Sequence, residues 1–391
     1  MIKRIKEELA LLYSTKAQSQ NGKRITYLDM VRGIAIFLVV AGHSGLIGHE
    51  HNVWLSTFHL PAFFIVSGFL MQIKKEDEQP FGEIVVRKVK GILFPYIWFS
   101  LGSLLVILVQ VLRGKLTWEV PKELIIQTIG LQGYSVLWFL PVLLLGELLV
   151  LILFKAANKI LKQKILSVSL VMGIAVGVAT LLFYTYHFVA GKSTNSFFLG
   201  EFRALTKSVI STVFVVFGYL MGLLSTYIEE KPKKKEFGIK AWVRQFHIIG
   251  LLIGAILFMG NYIIVPYIQI MDFNNVNLHN LFVYWVLGIC GSLGLLLICK
   301  SIPNIPLVTF YGQNSLVIMC THLNFYVLNA GMIIGRDVFE PLPGPDGLQL
   351  MVSAIICTML LEIPVVLIVR IFFPFVLGRK YSSCKQKENN A

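Results

Sequence analysis

One apolar stretch near the N-terminus carries three ionisable side chains, Asp29, Arg32 and His43. A histidine, whose imidazole titrates near neutral pH, can take a proton from a reacting hydroxyl group, which is general-base chemistry. Arg32 and His43 are eleven residues apart, so on a helix both side chains project from one face, about 16 Å apart along the axis. Asp29 lies three residues before Arg32, within reach of an ion pair. The segment therefore predicts one stripe with a cation near one end and a titratable base near the other.

Each of these residues also has a purely structural interpretation. Arg32 could snorkel to a membrane interface or pair with Asp29, and His43 could make a hydrogen bond to a neighbouring helix. Because an ionisable group inside an apolar segment is costly, we treat all three as candidates for function.

Composition places this stretch in a membrane. Of the 391 residues, 56% are hydrophobic and 14% are charged, against about 25% charged in a soluble domain. An ordinary soluble enzyme, a disordered protein and a nucleic-acid-binding domain are therefore excluded, and no nucleic-acid partner is expected. Apolar segments long enough to cross as helices recur along the chain. There are ten of them, at 26–47, 53–73, 91–112, 136–154, 165–189, 208–228, 246–268, 281–299, 305–334 and 350–377.

We predict an all-α polytopic membrane protein with about ten transmembrane helices in a single bundle. The segment 305–334 is longer than one crossing needs and contains YGQNS, which indicates a bent or broken helix or a short lead-in along the surface. The formal net charge is +14, and 26 of the 35 Lys and Arg residues fall in alternate gaps between segments, against seven in the others. By the positive-inside rule both termini are cytoplasmic. This gives a tail at 1–24, a membrane domain at 25–378 and a second tail at 379–391, with the basic run at 231–237 as an inner loop.

A second candidate cluster lies in the first inner loop, where Arg87, Lys88 and Lys90 precede an apolar segment. Cations at a cytoplasmic mouth suit phosphates, through charge-assisted hydrogen bonds, although the positive-inside signal alone would also place them there. Neither the histidines nor the cysteines have the spacing of a metal site, so no metal is predicted. Later segments add Glu147 and Glu362, for which packing and catalytic roles stay open.

Several landmarks together resemble the acyltransferase 3 family of bacterial integral-membrane O-acyltransferases. The first, YLDMVRGIAIFLVVAGHS at 27–44, fits the family's pattern of Arg or Lys, ten residues and His through Arg32 and His43. The others are FHLPAFFIVSGFL at 58–70, RKVKGILFPY at 87–96, LWFLPVLLLGELL at 137–149 and YGQNSLVIMCTHL at 311–323. The resemblance spans roughly 24–377 and points to the small stand-alone branch that includes fucose 4-O-acetylase-like proteins. One departure is Lys90, where the family often has arginine; lysine supplies charge without a bidentate fork.

The resemblance implies acetyl-CoA as the cytoplasmic acyl donor and a glycan hydroxyl, at the outer surface or on a lipid-linked carrier, as the acceptor. It also implies a multi-pass protein of a bacterial plasma membrane. Arg87, Lys88 and Lys90 would hold the CoA phosphates, and the pantetheine arm would pass Arg32 towards His43 as the general base. Asp29 would hold Arg32.

Several alternatives remain open at this stage. Direct transfer and an acetyl-histidine intermediate both fit the residues, and Ser67, Ser315 and Tyr311 are all candidates for stabilising the oxyanion. The acceptor sugar, the length of the acyl group and the oligomeric state are left open as well. A secondary transporter or flippase for a glycan or lipid-linked sugar is the main alternative function, but it would more often show internal repeats, which this sequence does not.

Overall fold

The computed structural model describes residues 25–193, 195–230, 239–278, 280–339 and 347–378. The predicted tails at 1–24 and 379–391 and the basic run at 231–237 lie outside these residues. Within the described part the chain is helical and has no β-strand beyond one isolated bridge between Asp272 and Asn277. The prediction of an all-α protein is confirmed.

The helices are numbered here in chain order. They are α1 Thr26–His43, α2 His49–Ile73, α3 Phe81–Lys88, α4 Phe94–Leu112, α5 Glu119–Ile129, α6 Phe139–Ile160, α7 Lys164–Ala190, α8 Ser196–Glu230, α9 Ile239–Ile263, α10 Leu281–Ser301, α11 Pro306–Gln313, α12 Ser315–Thr321, α13 Val327–Phe339 and α14 Gly347–Phe372. A π-helical turn, Val89–Leu93, joins α3 to α4, and a 3-10 turn, Ser135–Trp138, leads into α6.

Nine helical stretches of the described chain are long and apolar enough to cross a membrane. They coincide with nine of the ten predicted segments. The peripheral helices α7 and α9 present apolar side chains outwards, with Leu181 66% exposed and Ile256 68% exposed. Such faces would be costly in water and suit the acyl chains of a bilayer. The chain is therefore a multi-pass membrane protein.

The remaining predicted segment, 305–334, is broken into α11, α12 and α13, so the prediction of a bent or broken helix is confirmed. The first break is at Asn314, whose φ of −115° and ψ of 10° are not helical. Its side-chain amide donates a hydrogen bond to the Phe310 carbonyl at 2.7 Å. An asparagine that bonds the backbone in this way competes with the helical pattern. Arg370 of α14 donates to the Asn314 side-chain oxygen at 2.9 Å and holds the break in place.

The broken segment runs beside α1. A Cβ atom at Gly312 would lie 1.7 Å from the Asp29 carbonyl oxygen, so only glycine allows this approach. It would also lie 2.9 Å from the Gly33 nitrogen. His322 is ten residues after Gly312, and His43 is ten residues after Gly33. These two histidines are hydrogen-bonded to each other. Because the spacing is the same on the two segments, 312–322 runs parallel to α1 and covers the same depth.

Loops that were predicted to be cytoplasmic meet at one end of the bundle. Lys155, in the last turns of α6, donates to the Asp77 carbonyl at 3.1 Å. The Lys300 ammonium lies 5.6 Å from the centre of the Tyr27 ring, and Gly378 lies against the π-helical turn. We call this the basic end and the opposite one the His43 end. That the basic end faces the cytoplasm stays a prediction.

Candidate active site

Two histidines from distant parts of the chain form a pair at the His43 end. Nδ1 of His43, at the last residue of α1, lies 3.0 Å from Nε2 of His322, just after α12. The rings are stacked, with centroids 5.1 Å apart. His322 is fully buried, whereas His43 is exposed. One imidazole is thus enclosed by protein and positions another that a ligand can reach.

The hydrogen bonds of the pair determine which nitrogen of His43 carries a proton. His322 Nδ1 lies 2.7 Å from the Ile318 carbonyl oxygen, which can only accept, so Nδ1 carries the proton of the neutral ring. His322 Nε2 is then an acceptor and receives its bond from His43 Nδ1–H. The remaining nitrogen of His43, Nε2, keeps its lone pair, which is the form that a general base needs.

His43 lines a cavity of about 430 Å³, the His43 cavity. His59, Asn52 and Asp272 also line it, so its wall combines imidazole, amide and carboxylate groups. His59 Nδ1 is hydrogen-bonded to the Leu55 carbonyl oxygen, which leaves Nε2 of this ring as an acceptor as well. A wall of this kind suits the hydroxyl groups of a polar ligand.

Arg32 lines a second cavity, of about 180 Å³, the Arg32 cavity. The predicted ion pair with Asp29 is present, with Nη2 of Arg32 3.9 Å from Oδ1 of Asp29. Ser67, Glu147 and Ser315 share the cavity wall with several apolar side chains. The shared face of Arg32 and His43 that the helical spacing predicts therefore opens on two cavities.

Residues that are neighbours along the chain line these two cavities. Trp138 lines the His43 cavity, and Phe139, the next residue, lines the Arg32 cavity. Leu323 likewise lines the His43 cavity, and Met319, about one helical turn before it, lines the Arg32 cavity. The two cavities are therefore neighbours along the same elements, on the His43 side and the Arg32 side of the bundle.

The basic cluster of Arg87, Lys88 and Lys90 lies at the basic end, but its side chains have different surroundings. Arg87 and Lys90, which are three residues apart and share a helix face, line an open cavity of about 360 Å³. Both side chains are exposed. Arg87 also pairs with Glu76, with Nη2 and Oε1 3.1 Å apart. These two cations are placed where an anion from the solvent can reach them.

Lys88 is turned into the bundle and is only 9% exposed. Its ammonium lies 2.7 Å from Oε2 of Glu147 and 2.8 Å from Oε2 of Glu76. Ser67 donates a further hydrogen bond to Glu147. A lysine held by two buried carboxylates has no position from which to bind a phosphate in the solvent. The structure therefore separates Lys88 from the two cations with which the sequence grouped it.

Sequence reasoning missed the partner of His43. The available signal was a second histidine, His322, in the last landmark of the family resemblance, but a landmark does not show which residue lies next to it in the fold. The residues predicted as candidates for stabilising the oxyanion do not line the His43 cavity. Ser67 and Ser315 line the Arg32 cavity, and the Tyr311 hydroxyl donates to the Met359 carbonyl at 3.1 Å. Within the described residues, no group of three His, Cys, Asp or Glu side chains could hold a metal ion.

Comparison with known families agrees with this architecture. The acyltransferase 3 family model, described as an acyltransferase domain, matches residues 25–378. No curated protein and no solved structure gives a significant match. The matched region runs from the residue before α1 to the last residue described and includes all three cavities. The chain therefore belongs to the acyltransferase 3 family and is a membrane acyltransferase.

Proposed function

We propose that the protein transfers an acetyl group from cytoplasmic acetyl-CoA to a hydroxyl group of a cell-surface or lipid-linked glycan, in the plasma membrane of a bacterium. The observation that carries this proposal is the His43–His322 pair. It supplies an imidazole with an unprotonated Nε2 in a polar cavity, and a second cavity lined by Arg32 lies next to it.

The donor enters from the basic end in this proposal. Arg87 and Lys90 bind the anionic phosphates of CoA, since both are exposed on one open cavity. Arg32 lines the route of the pantetheine arm, and Asp29 holds its guanidinium group. Lys88 positions the loop by tying it to Glu147 instead of binding phosphate.

The acceptor hydroxyl enters the His43 cavity from the opposite end. His43 Nε2 takes the hydroxyl proton while the oxygen attacks the carbonyl carbon of the thioester. The new C–O bond forms, the C–S bond breaks, and the sulfur leaves with its electron pair. His43 then returns the proton to the sulfur, so CoA leaves as the thiol and the imidazole is neutral again. His322 Nε2 accepts from Nδ1–H throughout and stabilises the transient imidazolium ion.

A test uses membrane vesicles from cells that produce the protein, so that the membrane acceptor is present. Release of CoA and incorporation of label are measured with radiolabelled acetyl-CoA. We expect His43→Ala to lower both rates by about 10²- to 10⁴-fold, the usual contribution of a general base. His187→Ala is the matched control, because His187 is an exposed histidine outside both cavities. Near wild-type transfer by His43→Ala would refute the assignment of His43.

The same vesicles distinguish an enzyme from a transporter or flippase. Acyl transfer consumes acetyl-CoA and attaches label to a membrane product, whereas a flippase moves its substrate without either event. Absence of CoA release and of acetyl-CoA binding by folded wild-type protein would therefore refute acetyl transfer itself.

A further inference from the structure

A polar cavity of about 310 Å³ adjoins the His43 cavity and has no part in the chemistry described above. Ser135 and Asn274 line both spaces, so the two are neighbours at the His43 end. Arg203 and Lys207, one helical turn apart on α8, line the new cavity. A saccharide with one hydroxyl in the His43 cavity could extend into this space.

Lys207 is a buried cation that forms no direct ion pair with a carboxylate of the described residues. Its side chain is 2% exposed. The ammonium lies 2.9 Å from the Asn274 side-chain oxygen and 4.3 Å from the centre of the Trp138 ring. Among the described residues, no carboxylate lies within ion-pair distance of it. An amide oxygen and an aromatic face offset only part of the cost of burying an ammonium group.

Arg203 adds a second positive charge to the same wall. Its Nη1 donates to the Asn275 side-chain oxygen at 3.0 Å, and no ion pair with a described carboxylate forms. Cations at positions i and i+4 of a helix repel each other. An anion between them would relieve this repulsion and would use the donors that remain on both groups.

Three carboxylates lie at or beside this cavity, and each already accepts a hydrogen bond. Glu201 accepts from Gln132, a residue of the cavity wall, at 3.1 Å. Asp272 accepts hydrogen bonds on both oxygens, from the Asn275 backbone at 3.1 Å and from its amide at 2.7 Å. Glu123, an exposed residue of the cavity wall, accepts from Gln127 at 2.8 Å. These contacts hold the carboxylates in place without neutralising either cation directly.

We propose that Arg203 and Lys207 form a subsite for an anionic group of the acceptor, a carboxylate or phosphate carried by the saccharide. The inference rests on the proposed function, because it is the neighbouring His43 that makes this cavity an acceptor site. Arginine matches a planar or tetrahedral oxyanion with two parallel hydrogen bonds, and lysine adds a point charge. Amides of Gln127, Gln132 and Asn274 surround them and suit the neutral hydroxyl groups of a sugar.

The test measures binding by the purified full-length protein in detergent, without acetyl-CoA. The thermal unfolding midpoint is followed against concentration of three probes: methyl glucuronide, inorganic pyrophosphate and neutral methyl glucoside. A ligand that binds only the folded protein raises the midpoint with concentration. We expect at least one anionic probe to do so in the wild type, beyond any effect of the neutral sugar. A response to glucuronide alone identifies an acidic sugar, and a response to pyrophosphate alone identifies a phosphate-bearing carrier.

Variants then locate the binding. Lys207→Met and Arg203→Gln should each weaken binding by roughly tenfold or more, as expected when a charge-assisted hydrogen bond is lost. Lys207→Arg should retain binding and serves if Lys207→Met does not fold. Lys192→Gln is the matched control, because Lys192 is an exposed cation stacked on Phe188.

His43→Ala separates this inference from the proposed function, since it should lower transfer by about 10²- to 10⁴-fold and leave anion binding unchanged. The subsite is refuted if neither anion stabilises the wild type more than methyl glucoside does. It is equally refuted if the charge-removing variants respond as the wild type does.

Discussion

The hydrogen bond between His43 and His322 predicts that activity depends on a residue that does not touch the substrate. Replacing His322 by leucine removes the acceptor for His43 Nδ1–H, which lies 3.0 Å away. The proton of His43 is then no longer fixed on Nδ1, and the ring loses its orientation. A hydrogen bond of this kind contributes about 1–2 kcal/mol. Because about 1.36 kcal/mol corresponds to tenfold in rate, kcat should fall roughly 5- to 30-fold.

The assay is steady-state release of CoA by the vesicles at saturating acetyl-CoA, with folding checked by thermal unfolding in detergent. His322→Gln offers a carbonyl oxygen in place of Nε2 and should recover most of the lost rate. A purely structural role would instead lower the unfolding midpoint of both variants and leave kcat per folded molecule unchanged.

A double variant tests whether His322 acts only through His43. If His322 acts only through His43, then His43→Ala combined with His322→Leu should be no slower than His43→Ala alone. If the rate of the double variant instead falls by the product of the two single-variant factors, His322 contributes independently of His43. That result would refute the positioning role derived from the pair.

Three further predictions concern Arg87, Lys88 and Gly312. Arg87→Gln should raise the KM for acetyl-CoA roughly tenfold with little change in kcat, because a phosphate contact is lost, and steady-state kinetics would measure both. Lys88→Met should lower the free energy of unfolding by about 3–5 kcal/mol, since it leaves buried carboxylates unpaired. Adding Glu147→Gln should recover part of the lost stability. An unchanged unfolding midpoint in Lys88→Met would contradict the buried ion pair. Gly312→Ala should sharply reduce the yield of monodisperse protein, because its Cβ would lie 1.7 Å from a backbone oxygen of α1. Gly173→Ala, where nothing lies within 4 Å of the new Cβ, is the matched control in size-exclusion chromatography.

Features that depend on local spacing could be predicted from the sequence. Each apolar run of about 20 residues predicts a helix, because only a helix satisfies its own backbone in a bilayer. The 3.6-residue period likewise places Arg32 and His43 on one face of α1 and puts Asp29 within reach of Arg32. These inferences need no knowledge of neighbouring helices, and the corresponding helices and ion pair are present.

Features that depend on neighbouring helices could not be predicted in this way. Arg87 and Lys88 are adjacent cations, yet one is exposed at the basic end and the other lies between two carboxylates. Glu147, a partner of Lys88, is 59 residues away along the chain, and His322 is 279 residues from His43. Pairing over such separations is set by helix packing, on which a single sequence gives no direct information.

The two arginines inside the predicted segments show that a charge in a membrane helix can serve function in different ways. Arg32 lines a cavity and can act on a ligand directly. Arg370 instead donates to Asn314 and stabilises the break that ends α11. After that break, α12 begins at Ser315 on the wall of the Arg32 cavity and leads to His322 beside His43. A continuous helix would change the direction of the chain after Gln313 and so the position of His322. The hydrogen bond to Asn314 thus offsets part of the cost of placing Arg370 in a membrane helix, and the break that it stabilises sets the geometry of the His43–His322 pair.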